Sequence, residues 1–156
     1  MIMRIERARQ DDLAEVAALW HAGWHQAHAD IVPPALVASR QPAEFEARAA
    51  KRLSATWVAR AGGGLAGFYM LEGDELYQFY VDARFQGRGV AGSMMAAVER
   101  DLTGRVAWLA CSVGNDRAAR FYEKAGWRRE AEEVYPVESA EGTQEVIAWR
   151  FEKDLR

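Results

Sequence analysis

The sequence predicts an α+β domain with a central mixed, mostly antiparallel sheet of about seven strands and about four helices on its faces. Three observations predict it. β-rich runs at 56–60, 65–72 and 75–81 are joined by Gly62-Gly63-Gly64 and by Gly73-Asp74. Such short glycine connections imply antiparallel hairpins. A helical pattern over 90–102 then separates the strand at 75–81 from another at 105–112, which implies a parallel pair with a right-handed crossover. Finally, 156 residues, of which 50% are hydrophobic and 28% charged, suit one globular domain spanning 1–156.

Each element has its own signal. Residues 2–8 read as a short strand. Gln10, Asp11 and Asp12 offer a helix start, after which Leu13, Val16, Ala17, Trp20 and Trp24 recur at helical spacing. Pro33 and Pro34 end that helix, since proline disfavours helix in the residue before it. A second helix is expected from Pro42 to about Leu53, with Glu44 and Glu46 at its positive end. In the helix at 90–102, Ala91, Met94, Met95, Val98 and Leu102 share one face. The helix at 116–125 carries Ala118, Phe121, Tyr122 and Ala125 and is closed by Gly126. Strands at 127–137 and 143–152 complete the set.

Composition narrows the function. The net charge is −3, with basic residues scattered among acids, which disfavours binding to nucleic acid or an anionic membrane. Cys111 is the single cysteine, so neither an intrachain disulfide nor a cysteine zinc cluster can form. Charges in the first seven residues do not suit a secretory leader, and no apolar run reaches membrane-spanning length. A cytoplasmic location is therefore expected.

The most informative segment runs from Val81 to Gly92, between a strand and a helix. Gly87-x-Gly89-x-x-Gly92 fits the dinucleotide fingerprint, and Gln86-x-x-Gly89-x-Ala91 fits a pyrophosphate loop of another kind. Both rest on the same physics: glycines let backbone N–H groups approach a diphosphate, and the helix N-terminus adds a positive dipole. A dinucleotide fold wants the turn directly after its strand, a series of parallel units, and an acid about 20 residues on. Here Asp82 to Phe85 intervene, the preceding strands read as hairpins, and Ser112 holds the acid's position.

Gln86-x-x-Gly89-x-Ala91 resembles the Q/R-x-x-G-x-G/A motif of the GNAT superfamily of acetyl-CoA-dependent N-acetyltransferases. Asn115-x-x-Ala118-x-x-Phe121-Tyr122-x-x-x-Gly126-Trp127 resembles that family's N-x-x-A-x-x-F-Y-x-x-x-G-F signature. Ala83 departs from the pattern, standing where the family often has proline. The resemblance implies a three-layer GNAT-like domain that takes acetyl-CoA as cosubstrate, without a metal, and moves its acetyl group to a primary amine by direct attack in a ternary complex. It further implies that the backbone of Gln86, Gly87, Arg88, Gly89, Val90, Ala91 and Gly92 holds the pyrophosphate. Val81 N–H would polarise the thioester carbonyl, Asn115 would bond the pantetheine arm, and Tyr122 would sit near the sulfur and protonate the leaving thiolate.

The chemistry agrees. A lysine-like amine, with a pKa of about 10.4, is mostly protonated at pH 7 and needs a base before it can attack. A neutral phenol such as Tyr122 suits the acid. The resemblance implies Glu75 as the base, since it lies six residues before Val81, where some family members place a catalytic glutamate; Glu72 is next, and an ordered water chain is a third route.

Other features bear on the acceptor, expected to be a small-molecule or peptide amine. His21, His25 and His28 share a helical face, and the resemblance implies that residues 20–36 wall the acceptor site. From Glu130 to Glu145 there are six glutamates and no Lys or Arg, which would favour a cationic amine if the run borders that site. Exposed strand edges near the C-terminus allow a homodimer. The rival functions are a GNAT-like domain that binds acyl-CoA without turnover and an NAD-binding oxidoreductase.

Overall fold

A computed structural model describes residues 2–156. Seven strands form one sheet in the order β1-β2-β3-β4-β5-β7-β6. They are β1 (Met3–Arg7), β2 (Thr56–Ala61), β3 (Gly64–Glu72), β4 (Glu75–Val81), β5 (Val106–Ser112), β6 (Arg128–Ser139) and β7 (Gly142–Asp154). Every neighbouring pair is antiparallel except β4 and β5. The mixed, mostly antiparallel sheet read from the glycine turns is thus the one observed.

Five helices cover its faces: α1 (Leu13–His28), α2 (Pro34–Ser39), α3 (Pro42–Lys51), α4 (Val90–Asp101) and α5 (Asp116–Lys124). About four are expected from the sequence. The extra one, α2, has six residues and starts at Pro34 itself, whose fixed φ suits a first helical position. Helix α1 stops earlier than expected, at His28, with a turn over 29–32 before Pro33. The proline pair therefore begins α2 but does not itself end α1, and a helix as short as α2 has no periodicity to read. Helix α3 also stops earlier than expected, giving way to a 3-10 turn at Leu53–Ala55.

The helices divide the core. Trp20, Phe45, Leu36, Val58 and Phe68 are buried where α1, α2 and α3 cover one face of the sheet. Met94, Val98, Leu109, Trp127 and Phe151 are buried with α4 and α5 on the other.

One irregularity makes the site. Strands β4 and β5 share a single ladder pair, Glu75 with Trp108, supported by a bond from the Trp108 N–H to the Asp74 carbonyl at 3.1 Å. Beyond that point they part, leaving a gap in the middle of the sheet. The opposite edge of β4 stays paired with β3, where a bulge lies at Met70/Leu71. That bulge alters the alternation of β4: Leu76, Phe79 and Val81 join the α4/α5 core, whereas Tyr77 and Tyr80 join the other.

Candidate active site

The gap between β4 and β5 opens into two cavities. The larger, about 700 Å³, lies between the N-termini of α4 and α5. Val81, Gln86, Gly87, Gly89, Val90, Ala91 and Gly92 line it from one side, and Asn115 and Tyr122 from the other. The sequence-predicted cofactor residues are thus gathered in one place, apart from Arg88, which is exposed and does not line the cavity.

The loop follows from its glycines. Gly87 and Gly89 have φ of 78° and 79°, left-handed values that only glycine adopts at little cost. Gly89 caps α4, so the N–H groups of Val90, Ala91 and Gly92 form its first turn and have no intrahelical acceptor. Gln86 is tied to α5 by a hydrogen bond accepted from Arg117. Two helix N-termini and free amides facing one cavity make a setting for an anion.

The sheet register supplies another donor. Asp82 N–H bonds the Ala66 carbonyl on β3 at 2.8 Å, and Val81 pairs with Gly67. Since amides along a strand alternate in direction, the Val81 N–H points to the β5 side, into the gap. Asn115 caps α5 by accepting the Ala118 N–H on its Oδ1 at 3.4 Å, which leaves its Nδ2 free to donate.

The smaller cavity, about 130 Å³, lies on the α1/α3 side and is lined by Trp24, His28, Arg40, Arg48 and Tyr77 among others. Phe79, Tyr80, Asn115, Ala118 and Tyr122 line both cavities, so the two meet there. Burial holds the Tyr122 and Tyr80 hydroxyls far above the ordinary tyrosine pKa, which keeps both neutral. Tyr122 is fixed by ring contacts at 5.6 Å to Phe121 and 5.8 Å to Phe151.

Glu75 is placed apart from that junction. It is buried at the start of β4, about 20 Å along the strand from Val81 at ~3.3 Å per residue, and lines neither cavity. The Tyr135 hydroxyl donates to its Oε2 at 2.5 Å. Burial pushes its carboxyl above the usual range, and the Tyr135 bond offsets part of that rise. Glu72 is exposed and paired with Arg52 at 2.7 Å.

Comparison with known proteins decides the family. The sequence profile of the Acetyltransferase (GNAT) family matches residues 16–127. The chain belongs to that family. Among solved structures, a GCN5-related N-acetyltransferase from Rhodopseudomonas palustris is similar, with a TM-score of 0.75 and 24% identity over 99% of each chain. PaiA N-acetyltransferase from Thermoplasma acidophilum, in complex with coenzyme A, gives 0.70 and 17% over 99% of each. YncA from Salmonella typhimurium, with its cofactor acetyl-CoA, gives 0.70 and 14%, covering all of this chain and 95% of that one. At these identities the likeness establishes the fold. Comparison with curated protein sequences yields no match.

As a GNAT protein, the chain has a sheet with one parallel pair, unlike the parallel series of a dinucleotide fold. Of the three histidines, only His28 lines the smaller cavity. His25 Nε2 bonds the Arg40 carbonyl at 2.7 Å, and the His21 ring packs tilted against His25 and edge-on to Phe45. No cluster of metal-ligating side chains occurs among the described residues. The acidic run does not border the cavity: all six glutamates between 130 and 145 are exposed, and only Val137 of that segment lines it. Cys111 is buried in the lining, its thiol pushed up to about 12 by burial, which suits packing and not nucleophilic attack. Arg40, Arg48 and Tyr80 escaped the reading of the sequence. The legible signal for Arg48 was its place three residues after Phe45, on the buried stripe of α3.

Proposed function

We propose that this GNAT domain transfers an acetyl group from acetyl-CoA to a primary amine, by direct attack in a ternary complex. The observation that carries the reading is the meeting of two cavities at Tyr122, in the gap where β4 and β5 part. The larger cavity fits the cosubstrate: glycines at positive φ, free amides of α4 and a second helix N-terminus suit a diphosphate. When bound, acetyl-CoA supplies an acetyl group activated as a thioester.

The residues then divide the work. Gly87 to Gly92 hold the diphosphate through main-chain donors, with the Arg88 side chain turned to solvent. Asn115 Nδ2 bonds the pantetheine arm. The Val81 N–H donates to the thioester carbonyl, where negative charge develops. Tyr122, neutral near pH 7, delivers a proton to the departing sulfur. His28 orients the amine. Its Nδ1 bonds the Trp24 carbonyl at 2.9 Å and so must carry the proton, which leaves Nε2 as an acceptor. Burial holds His28 down to about 4, so this ring accepts a hydrogen bond while remaining a weak base. Because Glu75 lines neither cavity, it would receive the amine proton only along a water relay leaving the smaller cavity past Leu76 and Tyr77, and its raised affinity for a proton suits that task.

Thermal-shift titration with acetyl-CoA, CoA and NAD in parallel tests the reading, followed by CoA release with a panel of amines. Stabilisation by both CoA forms but not NAD, with acetylated product by mass, is the expected result. A ligand at 100 times its Kd adds about 2.7 kcal/mol. Tight acetyl-CoA binding without turnover of any amine would favour a regulatory acyl-CoA-binding domain.

A further inference from the structure

The smaller cavity carries more positive charge than its own chain neutralises. Arg40 and Arg48 both line it, and they are 2% and 7% exposed. Arg40 pairs with Glu44, whose other oxygen accepts the Ala140 N–H at 3.3 Å. Arg48 forms no ion pair among the described residues. Its Nη2 donates to the Tyr77 hydroxyl at 2.9 Å, its guanidinium carbon lies 4.3 Å from the Trp20 ring centroid, and its Nε and Nη1 have no partner. The cation–π contact offsets part of the cost of burying this charge, but supplies no counter-ion.

Nothing else in the lining compensates. It contains no Asp or Glu. His28 and Cys111 are held neutral by burial, and the other polar side chains are amides and hydroxyls. Arg40 is pushed below the ordinary arginine pKa first by burial and then by the Arg48 charge, so the two guanidinium groups oppose each other. An anion between them relieves both. A guanidinium is a planar fork matched to a carboxylate. At about 130 Å³ the cavity is far smaller than the neighbouring one of about 700 Å³, so the occupant is small.

Resting on the reading of this cavity as the acceptor site, we propose that the acceptor is a small amino carboxylate, its carboxylate beside Arg48 and Arg40 and its amine toward Tyr80 and Tyr122. This replaces the cationic amine that the acidic run suggested, because those glutamates face solvent.

The test uses matched acceptors: an amino acid, its carboxamide, its decarboxylated amine, and the corresponding aminoalkyl phosphate. KM for the carboxylate is expected at least tenfold below those of the carboxamide and the amine, with Arg48→Met bringing the three within twofold. Equal KM values in the wild type, or preference for the phosphate, overturn the proposal while leaving acetyl transfer intact. A second readout needs no turnover: calorimetric titration of the CoA-loaded protein with propionate and with propionamide. Saturable binding of propionate alone, lost in Arg48→Met, is expected. If no amine is acetylated, the proposed function fails and this titration decides the anion site by itself; absence of propionate binding overturns it. Should Arg48→Met not fold, Arg48→Lys retains the charge without the fork and is expected to weaken propionate binding at least fivefold; unchanged binding overturns the bidentate assignment.

Discussion

The ring of Tyr80 lies so close to Gly23 that a Cβ at that glycine would stand 2.5 Å from Tyr80 Cδ1. Helix α1 therefore approaches β4 at the one side chain besides Tyr122 whose hydroxylated ring borders both cavities. Gly23→Ala sets two effects against each other. Alanine favours a helix interior by up to ~1 kcal/mol over glycine. Overpacking typically costs ~1–3 kcal/mol, and Tyr80 is backed by Phe68 at 5.7 Å, which limits its retreat. The variant is expected to melt lower and to bind acetyl-CoA several-fold more weakly. A higher Tm with unchanged affinity would show that the ring yields freely and has no positioning role.

Tyr122→Phe removes only the hydroxyl from a ring already fixed by Phe121 and Phe151. The protein should keep its Tm within a few degrees and its acetyl-CoA affinity within about twofold. A general acid contributes roughly 10²–10⁴-fold, so kcat should fall by at least tenfold. Stopped-flow and steady-state rates on one preparation separate the cases. Unchanged kcat, or lost binding, refutes the assigned role.

Much of this was legible because local rules carry it. Gly62-Gly63-Gly64 and Gly73-Asp74 announce hairpins, a helix between β4 and β5 requires a parallel crossover, and Gln86 to Gly92 display a phosphate loop in their own residue types. Asn115 and Tyr122 were found through the resemblance of residues 115–127 to a family signature. What stayed hidden depends on distant packing. The bulge in the β3/β4 ladder decides which side Tyr77 and Tyr80 take, and no local pattern marks it. The place of Arg48 on the stripe of α3 says nothing of its partners, because Trp20 and Tyr77 close over it from α1 and β4. The acidic run misled for the converse reason, since strand β6 turns its glutamates to solvent.

Glu75→Gln tests the proton route. Burial raises the carboxyl pKa in the folded protein, so ionising Glu75 opposes folding: its stabilising contribution is present at low pH and lost as pH rises through the folded value. At pH 8 the glutamine variant should be at least as stable as wild type, provided Tyr135 finds a new partner. The same variant should lose at least tenfold in kcat/KM and the acidic limb of its pH profile. Retention of that limb would assign it to another group.

His28 gives the opposite dependence. Its ring is half-buried, and its folded value of about 4 lies below the ordinary 6.5. The unfolded chain takes up a proton that the folded one refuses, so this stabilisation is complete above pH 6.5 and is lost as pH falls from 6.5 to about 4. Allowing for solvent reaching the ring, the effect is on the order of 2 kcal/mol, or roughly 4–8 °C in Tm. His28→Gln should flatten the Tm profile across that window relative to wild type. Parallel profiles would mean that the ring titrates freely.

Two glycines of the loop should separate folding from cosubstrate binding. Gly89 has φ of 79° with nothing within 4 Å of a built Cβ, so Gly89→Ala suffers from backbone conformation and not from crowding. A left-handed non-glycine residue costs ~1–2 kcal/mol, and relief of that strain turns the amides at the start of α4 away from the cavity. Both Tm and acetyl-CoA affinity should fall, the latter at least tenfold. Gly92 lies within the first turn of α4 and also has open space around a built Cβ. There alanine gains helix propensity, up to ~1 kcal/mol, while its methyl group occupies room where the backbone must approach the diphosphate. Gly92→Ala is therefore expected to raise Tm without ligand and to shrink the stabilisation that acetyl-CoA adds. If both variants bind acetyl-CoA as the wild type does, the loop is a turn and the diphosphate is held elsewhere.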